Sequence, residues 1–338
     1  MTVIETKGLR KSFRSPLKKP GVSGAVRHLF RPEYREIVAV MDVDLSIEAG
    51  ESVAYVGPNG AGKSTTIKML TGILLPSGGA IRVNGLHPYQ ERMRNSKNIG
   101  VVFGQRTQLW WDIPVIESFT LLRDIYEVPE KTYRENLAYF TEMLGLEEIL
   151  HQSARRLSLG QRMRADLAVA LMHNPAILFL DEPTIGLDVA VKERIREFLK
   201  AVNRERSVTI LLTSHDLGDI EDVCRRLIII DTGRIIYDGS IQGLLDRYVK
   251  ERSIRVTAGV KIDPAGAARA LPAGVEIAGA GEREMTIRFD RFRYTARTVL
   301  EIIMQTVDVV DFQLEEPDIE RVVKNVYEGR LELSDDED

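Results

Sequence analysis

Cysteine is nearly absent from this 338-residue sequence, which holds only Cys224. A disulfide framework and a thiolate metal site are therefore excluded, and a reducing, cytosolic compartment is expected. No apolar run approaches the ~18 to 20 residues that span a bilayer, and the first residues lack the basic and apolar regions of a secretory signal. If the protein serves a membrane process, we expect the spanning part on another polypeptide.

An excess of either charge is also missing. The formal net charge of −4 arises from interspersed acids and bases, so nothing pulls the whole chain toward nucleic acid, and no such partner is expected. What the sequence does have is a 44% apolar composition, which supports real cores in one large domain and a small one.

The first 248 residues alternate short apolar runs with amphipathic segments, which predicts one large domain with a doubly wound α/β core. Within it, residues 106–156 show helical spacing interrupted by Pro129, which predicts a helical subdomain. After a composition shift near Tyr248, residues 249–330 predict a small C-terminal α+β domain. The acidic tail, residues 331–338, is expected to be solvated.

One stretch fits the pattern G-x-x-x-x-G-K-[ST] in full, between a predicted strand at Ser52 to Val56 and a predicted helix. Glycines let the backbone curl so that N–H groups and the helix N-terminus point at phosphate oxygens. Lys63 would reach the β and γ phosphates of a nucleotide, and the Ser64 hydroxyl would ligate Mg²⁺. The predicted phosphate site consists of Gly57, Pro58, Asn59, Gly60, Ala61, Gly62, Lys63, Ser64 and Thr65.

Polar residues follow other apolar runs, at the strand ends where open α/β sheets bind ligands. Asp181 ends such a run, and its carboxylate would be justified there by Mg²⁺ that bridges the phosphates. Glu182 is the candidate to orient and deprotonate the attacking water. His215 would hydrogen-bond the γ phosphate and position that water. Gln105 would sense the nucleotide through Mg²⁺ or the water and pass its state into the helical subdomain.

Residues 14–36 form a basic insertion between predicted strands at 3–9 and 38–47. Six arginines and lysines stand against two glutamates there, which leaves a local charge of six minus two, or +4. One interpretation is a basic arm with a short amphipathic helix that contacts anionic lipid or a partner. The other is a solvated, poorly ordered loop. The sequence leaves both open.

Six features follow one another along the chain: the motif at 57–65, Gln105, Leu157-Ser158-Leu159-Gly160-Gln161, Asp181-Glu182, Gly186-Leu187-Asp188 and His215. This order resembles the ATP-binding cassette ATPase subunits of ABC transporters, over about residues 3–245. The most specific piece is LSLGQ, which other P-loop ATPases lack. The resemblance implies an α/β P-loop NTPase fold, an ABC cassette with a RecA-like core and a helical subdomain, and binding of ATP and Mg²⁺.

The resemblance also implies a head-to-tail dimer with shared sites. Ser158, Gly160 and Gln161 would bind the γ phosphate held by the other subunit's phosphate loop, with help from the dipole of the helix that begins there. Asp188 would lie at the dimer seam and couple the two sites. Leu159 departs from the family pattern, since glycine is commonest at that position.

Family members usually stack an aromatic residue on adenine. The run Leu9-Arg10-Lys11-Ser12-Phe13 resembles that region and nominates Phe13. Because the basic insertion follows immediately, Tyr34 is the fallback.

The C-terminal extension is similar in size to that of ABC-2-type exporter ATPases, including drug-resistance-like members. This implies a homodimer at the cytoplasmic face of the cell membrane that drives a separate permease, for export. The helical subdomain meets the permease in this family, so Trp110 or Trp111 is expected either to line that contact or to pack in the core. The alternative is a cassette ATPase that acts on ribosomes or DNA; a nucleotide kinase would have no use for LSLGQ.

Overall fold

The computed structural model describes residues 1–16, 34–104, 106–248, 250–315 and 322. Contacts divide the chain into two compact units, Met1–Gly239 and Ser240–Asp338. No helix in the described part of the chain is both long and apolar enough to cross a membrane.

Strands and helices alternate along the first unit. Its strands are β1 (Thr2–Pro16), β2 (Tyr34–Glu48), β3 (Ser52–Val56), β4 (Gly78–Val83), β5 (Ile99–Phe103), β6 (Ile177–Asp181), β7 (Thr209–Thr213), β8 (Arg226–Asp231) and β9 (Arg234–Ser240). Its helices are α1 (Lys63–Leu70), α2 (Arg92–Ser96), α3 (Val115–Ile125), α4 (Glu130–Leu144), α5 (Leu159–Leu171), α6 (Val189–Arg206) and α7 (Leu217–Val223), with a 3-10 turn at Ala154–Arg156.

Six of these strands form a central sheet in the order β5-β6-β7-β3-β8-β9. The first five in that order pair in parallel. Every residue of β3 and β7 is buried, because parallel strands covered on both faces consist of continuous apolar runs. The predicted parallel α/β core is confirmed, and its topology brings the strand ends Val56, Asp181 and Thr213 to one edge of the sheet.

A second sheet, not predicted from the sequence, pairs β1 with both β2 and β4 in antiparallel fashion. The strands predicted at 3–9 and 38–47 are parts of one long hairpin, which pairs Thr2 with Glu48 and Pro16 with Tyr34. The basic insertion is therefore strand at both of its described ends. Its remainder, residues 17–33, lies outside the described residues, so the lipid contact stays a prediction.

The segment predicted as a helical subdomain contains α3 and α4, and Pro129 immediately precedes α4. Gly145 ends α4 with a φ of 60°. Arg164 of α5 donates to the carbonyl oxygens of Leu144 and Gly145 at 2.5 and 2.7 Å, which satisfies carbonyl groups that a helix end leaves open. This guanidinium fastens the subdomain to α5, the helix that begins within LSLGQ.

The second unit contains α8 (Ile241–Tyr248), β10 (Glu251–Ala258), α9 (Pro264–Ala270), β11 (Val275–Ala280), β12 (Glu284–Asp290), α10 (Ala296–Ile303) and β13 (Val309–Glu315). The strands form an antiparallel sheet in the order β11-β12-β10-β13. From β10 onward this is the β-α-β-β-α-β ferredoxin-like arrangement, which confirms the predicted α+β class. Ile254, Ile287 and Val299 belong to the core between the sheet and its helices. Of the predicted closing helix, 319–327, only the helical, buried Val322 is described.

Candidate active site

The predicted phosphate loop joins β3 to α1, and glycine is required at both of its ends. A Cβ added to Gly57 would lie 2.2 Å from the carbonyl oxygen of Ile230. Gly62 has a φ of 111°, and a Cβ there would lie 2.4 Å from the carbonyl oxygen of Ala39. The backbone approaches its neighbours so closely that a side chain has no room at either position, as a curled anion-binding loop requires.

Lys63 holds the loop from inside. Its side chain is buried, and its Nζ donates to the carbonyl oxygens of Gly57 and Pro58 at 2.5 and 3.2 Å. Burial lowers the pKa of Lys63, while the nearby carboxylates of Glu182 and Asp181 oppose that shift. The amine thus points into the loop, where a negatively charged phosphate would stabilise its protonated form and oppose the effect of burial on its pKa.

The loop lines a cavity of about 320 Å³. The residues around it are Pro58, Asn59, Gly60, Ala61, Gly62, Lys63, Ser64 and Thr65 from the loop, with Ala39, Glu182, Ile185 and His215. Because α1 begins at Lys63, its N-terminal N–H groups face this space, which is the arrangement that binds phosphate.

Beside it, Ser64 and Asp181 come together across 117 residues of sequence. The Ser64 Oγ donates to Asp181 Oδ1 at 3.2 Å, and Thr213 Oγ1 donates to the same oxygen at 2.8 Å. Hydroxyl and carboxylate oxygens are the ligands that Mg²⁺ prefers, with phosphate and water in its other positions. No group of three or more His, Cys, Asp or Glu side chains in the described residues could hold a metal.

Glu182 and His215 form the second polar pair, with Glu182 Oε1 and His215 Nε2 3.1 Å apart. Glu182 has a φ of 59°, a strained conformation of the kind found at functional sites. Its N–H donates to the carbonyl and the hydroxyl oxygen of Thr213, each at 3.1 Å. Burial raises the pKa of Glu182, against the opposing charges of His215 and Lys63, which suits a carboxylate that must accept a proton.

Ser158 and Gln161 begin α5 as a capping box. Gln161 N–H donates to Ser158 Oγ at 3.2 Å, and Ser158 N–H donates to Gln161 Oε1 at 2.9 Å. A Cβ on Gly160 would lie 3.2 Å from both methyl groups of Val191, so α5 and α6 approach closely there. Asp188 caps α6 by accepting from Val191 N–H at 2.9 Å. A second cavity lies beside Asp181, with Ser64 and Gly104 in its lining. Within the described chain, the residues at the starts of α5 and α6 line neither this cavity nor the loop cavity.

The two candidates for adenine stacking lie on the β1–β2 hairpin. Phe13 is 40% exposed and pairs with Ile37, two residues from Ala39 at the cavity wall. Tyr34 is 55% exposed and pairs with Pro16, three pairs farther along the hairpin. The geometry therefore favours Phe13. Gln105 lies outside the described residues.

Residues 40–185 match the ABC transporter family. The ABC transporter ATP-binding protein NatA of Bacillus subtilis (strain 168) is 33% identical over 224 residues, which are 66% of this chain and 89% of NatA. The chain belongs to the ABC transporter ATP-binding proteins.

Other members of this ABC family match at greater length or in structure. The linearmycin resistance ATP-binding protein LnrL of the same organism is 30% identical over 297 residues, 87% of this chain and 94% of LnrL. The dimeric ATP-binding cassette MJ0796, solved in a post-hydrolysis state with ADP and Pi, superposes with a TM-score of 0.58 at 26% identity, over 70% of this chain and 98% of that one. Methionine import proteins are also among the relatives. This ABC subunit is thus a nucleotide-binding ATPase of a transporter.

Two residues of this ABC ATPase site were missed by the sequence analysis. Thr213 holds both Asp181 and Glu182, and it is the last residue of the strand that leads to His215. Gly104 follows β5, and its N–H donates to the carbonyl oxygen of Asp181 at 2.8 Å. The sequence does indicate Thr213, since its hydroxyl stands at a predicted strand end beside another polar residue. No sequence pattern indicates Gly104, because its importance depends on a neighbour distant in sequence.

Proposed function

We propose that the protein is the ATPase of an ABC-2-type exporter, and that it works as a head-to-tail homodimer. One observation carries this proposal. Ser158, Gly160 and Gln161 stand at the start of α5, apart from the cavity that the phosphate loop lines in the same chain. A second copy facing the first would complete both sites, because one chain contains a phosphate loop and a signature segment.

In this assembly the residues of one chain have separate roles in ATP binding and hydrolysis. The phosphate loop and Lys63 bind the phosphates of ATP, and Ser64 with Asp181 would hold Mg²⁺, whose charge would stabilise the transferred phosphoryl group. Glu182 orients and deprotonates the attacking water, and His215, 3.1 Å away, positions that water and contacts the γ phosphate.

Residues at the edges of the site complete the proposal. Phe13 stacks on adenine, and Asp188 lies at the dimer seam. Gln105 senses the bound nucleotide and passes its state to the helical subdomain.

Export is favoured over import by the extent of the likeness to LnrL. The alignment covers 297 residues of this chain, whereas the first compact unit ends at Gly239, so the likeness extends into the C-terminal unit. The alignments with the methionine import proteins cover 64% and 65% of the chain, and that with a Nod factor export ATP-binding protein covers 65%, so the support for export comes from the C-terminal likeness to LnrL. We therefore place the subunit with resistance-type exporters, at the cytoplasmic face of the membrane, on a separate permease.

The surface that we assign to the permease contains the two tryptophans. Trp110 and Trp111 are 41% and 50% exposed, which argues against core packing. The guanidinium of Arg162 lies 4.6 Å from the centre of the Trp111 ring, and this cation–π contact holds the indole at the surface. Exposed aromatic and arginine side chains of this kind are typical of protein interfaces.

The competing function, a cassette ATPase that acts on ribosomes or DNA, finds little support in the second unit. Sheets of this arrangement that bind RNA stack bases on aromatic residues of the open face. Here the strands contain two aromatic residues, Phe289, which is buried, and Phe312, which is 49% exposed but pairs with the buried Val256 of the helix-covered face. The open face instead contains charged pairs such as Arg255 with Glu315.

Replacing Glu182 with Gln tests the assignment of the base. The variant should bind ATP with nearly native affinity, lose almost all phosphate release, and accumulate an ATP-dependent dimer by light scattering. Native turnover in the variant would remove Glu182 as the base.

Mixing two inactive chains tests the composite site. A Lys63→Ala chain lacks a working loop and a Ser158→Arg chain lacks a working signature, so each alone should be inactive. In their heterodimer, one site combines an intact loop with an intact signature, and ATP hydrolysis should return. If mixing restores nothing although both chains dimerise, the head-to-tail proposal is wrong.

A further inference from the structure

Asp219 of α7 is a charged residue that the chemistry described so far does not use. It is 1% exposed, and three side chains converge on its carboxylate. Arg196 Nε donates to Oδ1 at 2.6 Å, while the hydroxyl groups of Ser214, at 3.1 Å, and Thr184 donate to Oδ2. A carboxylate this deeply buried is stable only when it is paired and hydrogen-bonded in this way.

Each of the three donors belongs to a different segment of the site. Thr184 follows Glu182 by two residues, and Ser214 immediately precedes His215. Arg196 lies on α6, the helix that Asp188 caps. One carboxylate therefore joins the segments that contain the proposed base, the histidine and the residue of the dimer seam.

The contacts around Asp219 also continue toward His215. Ser214 Oγ accepts from the N–H of Asp216 at 3.0 Å. Asp216 in turn accepts from Lys192 of α6 at 2.5 Å. The loop before α7 is thus held on both sides of His215, at Asp216 directly by Lys192 of α6 and at Ser214 by Asp219, which Arg196 of the same helix contacts.

We propose that Asp219 is a positioning residue for ATP hydrolysis, which holds the segments of Glu182 and His215 at their 3.1 Å separation. This inference rests on the proposed function, since it takes Glu182 as the base. Asp219 itself touches neither the loop cavity nor the one beside Asp181. It acts through Thr184 and Ser214.

The test is Asp219→Asn, which keeps the shape and removes the charge. Phosphate release at saturating ATP should fall on the order of ten- to a hundredfold, as expected when reacting groups shift by about 1 Å, while the KM for ATP should change by less than about twofold. Arg196 keeps a second partner in Asp222, at 3.3 Å, which favours folding of the variant. The matched control is Asp222→Asn, which removes a partner of the same guanidinium without touching Thr184 or Ser214, and it should hydrolyse ATP at the native rate.

A double substitution separates positioning from general damage. In a Glu182→Gln background, Asp219→Asn should reduce the residual hydrolysis by a much smaller factor than in the native background, because the proposed base, one of the two groups that it positions, is already gone. An equal fold-loss in both backgrounds, or unchanged turnover in Asp219→Asn alone, would overturn the inference. A failure of the proposed function would give a different result, since Glu182→Gln alone would then still hydrolyse ATP.

If Asp219→Asn fails to fold, the single-hydroxyl variants Thr184→Val and Ser214→Ala take its place. Each should lower turnover several-fold at an unchanged KM in the native background and by a smaller factor in the Glu182→Gln background. Native turnover in both would overturn the inference as well.

Discussion

One methyl group added at Gly104 should slow ATP hydrolysis strongly without preventing ATP binding. In Gly104→Ala the new Cβ would lie 2.1 Å from the carbonyl oxygen of Glu182, although real Cβ atoms essentially never come within 3.0 Å. The backbone of Glu182 or that of residue 104 must therefore shift by about 0.9 Å, the difference between these distances, and either shift changes how Glu182 faces the site. The carbonyl oxygen of Asp181 lies 3.1 Å from the new Cβ, so the methyl group has little room to move away from Glu182 in that direction.

A displacement of about 1 Å in a catalytic group lowers the rate on the order of a hundredfold, so we expect that loss in Gly104→Ala. ATP affinity should stay within a few-fold, because the phosphate loop is on another strand. The assay is steady-state phosphate release together with the Kd of a fluorescent ATP analogue. Gly78→Ala is the matched control, since its Cβ would meet nothing closer than 3.9 Å.

Two results would refute this reasoning. One is native turnover in folded Gly104→Ala. The other is a further loss when Gly104→Ala is added to Glu182→Gln, because the effect would then not run through Glu182.

Two further predictions concern α5 and the residues that follow it. A Cβ in Gly160→Ala would lie 3.2 Å from both methyl groups of Val191, and this overpacking opposes the roughly 1 kcal/mol that Ala gains over Gly in a helix. Val191→Ala should therefore be less destabilising in Gly160→Ala than in the native protein, and an equal effect in both backgrounds in urea unfolding would contradict the close approach of α5 and α6. Burial lowers the pKa of His173 to about 4, so the unfolded chain takes up a proton below about pH 6.5 before the folded chain does, and stability should fall by about 3 kcal/mol between pH 6.5 and 4. A His173→Gln variant should lack this fall in urea titrations at both pH values, and an identical pH dependence in both proteins would contradict it.

The local sequence pattern was sufficient to predict much of the candidate active site. The phosphate loop could be predicted because its glycines, Lys63 and Ser64 are contiguous, and their chemistry follows from residue type and spacing. Asp181 and Glu182 could be placed at a strand end because a buried parallel strand is a continuous apolar run, and its end is visible in the sequence.

Pairing between distant segments could not be predicted in the same way. The strands near 3–9 and 38–47 were expected, but not their joining into one long hairpin with β4 at its side. In the second unit the alternation predicted strands and helices, but not the order β11-β12-β10-β13. Sheet order depends on contacts between residues far apart in sequence, and a strand's own pattern reports only which of its faces is buried.

The sequence by itself determined that this protein binds a nucleotide phosphate, because a continuous run of residues carries that chemistry. Tertiary structure alone decided that Thr213 holds Asp181 and Glu182, that Gly104 must lack a side chain, and that Asp219 gathers three segments of the site. These roles arise where backbones and buried charges from distant segments meet. Desolvation and steric exclusion act between neighbours in space, so neither effect produces a periodic pattern of residues in the sequence.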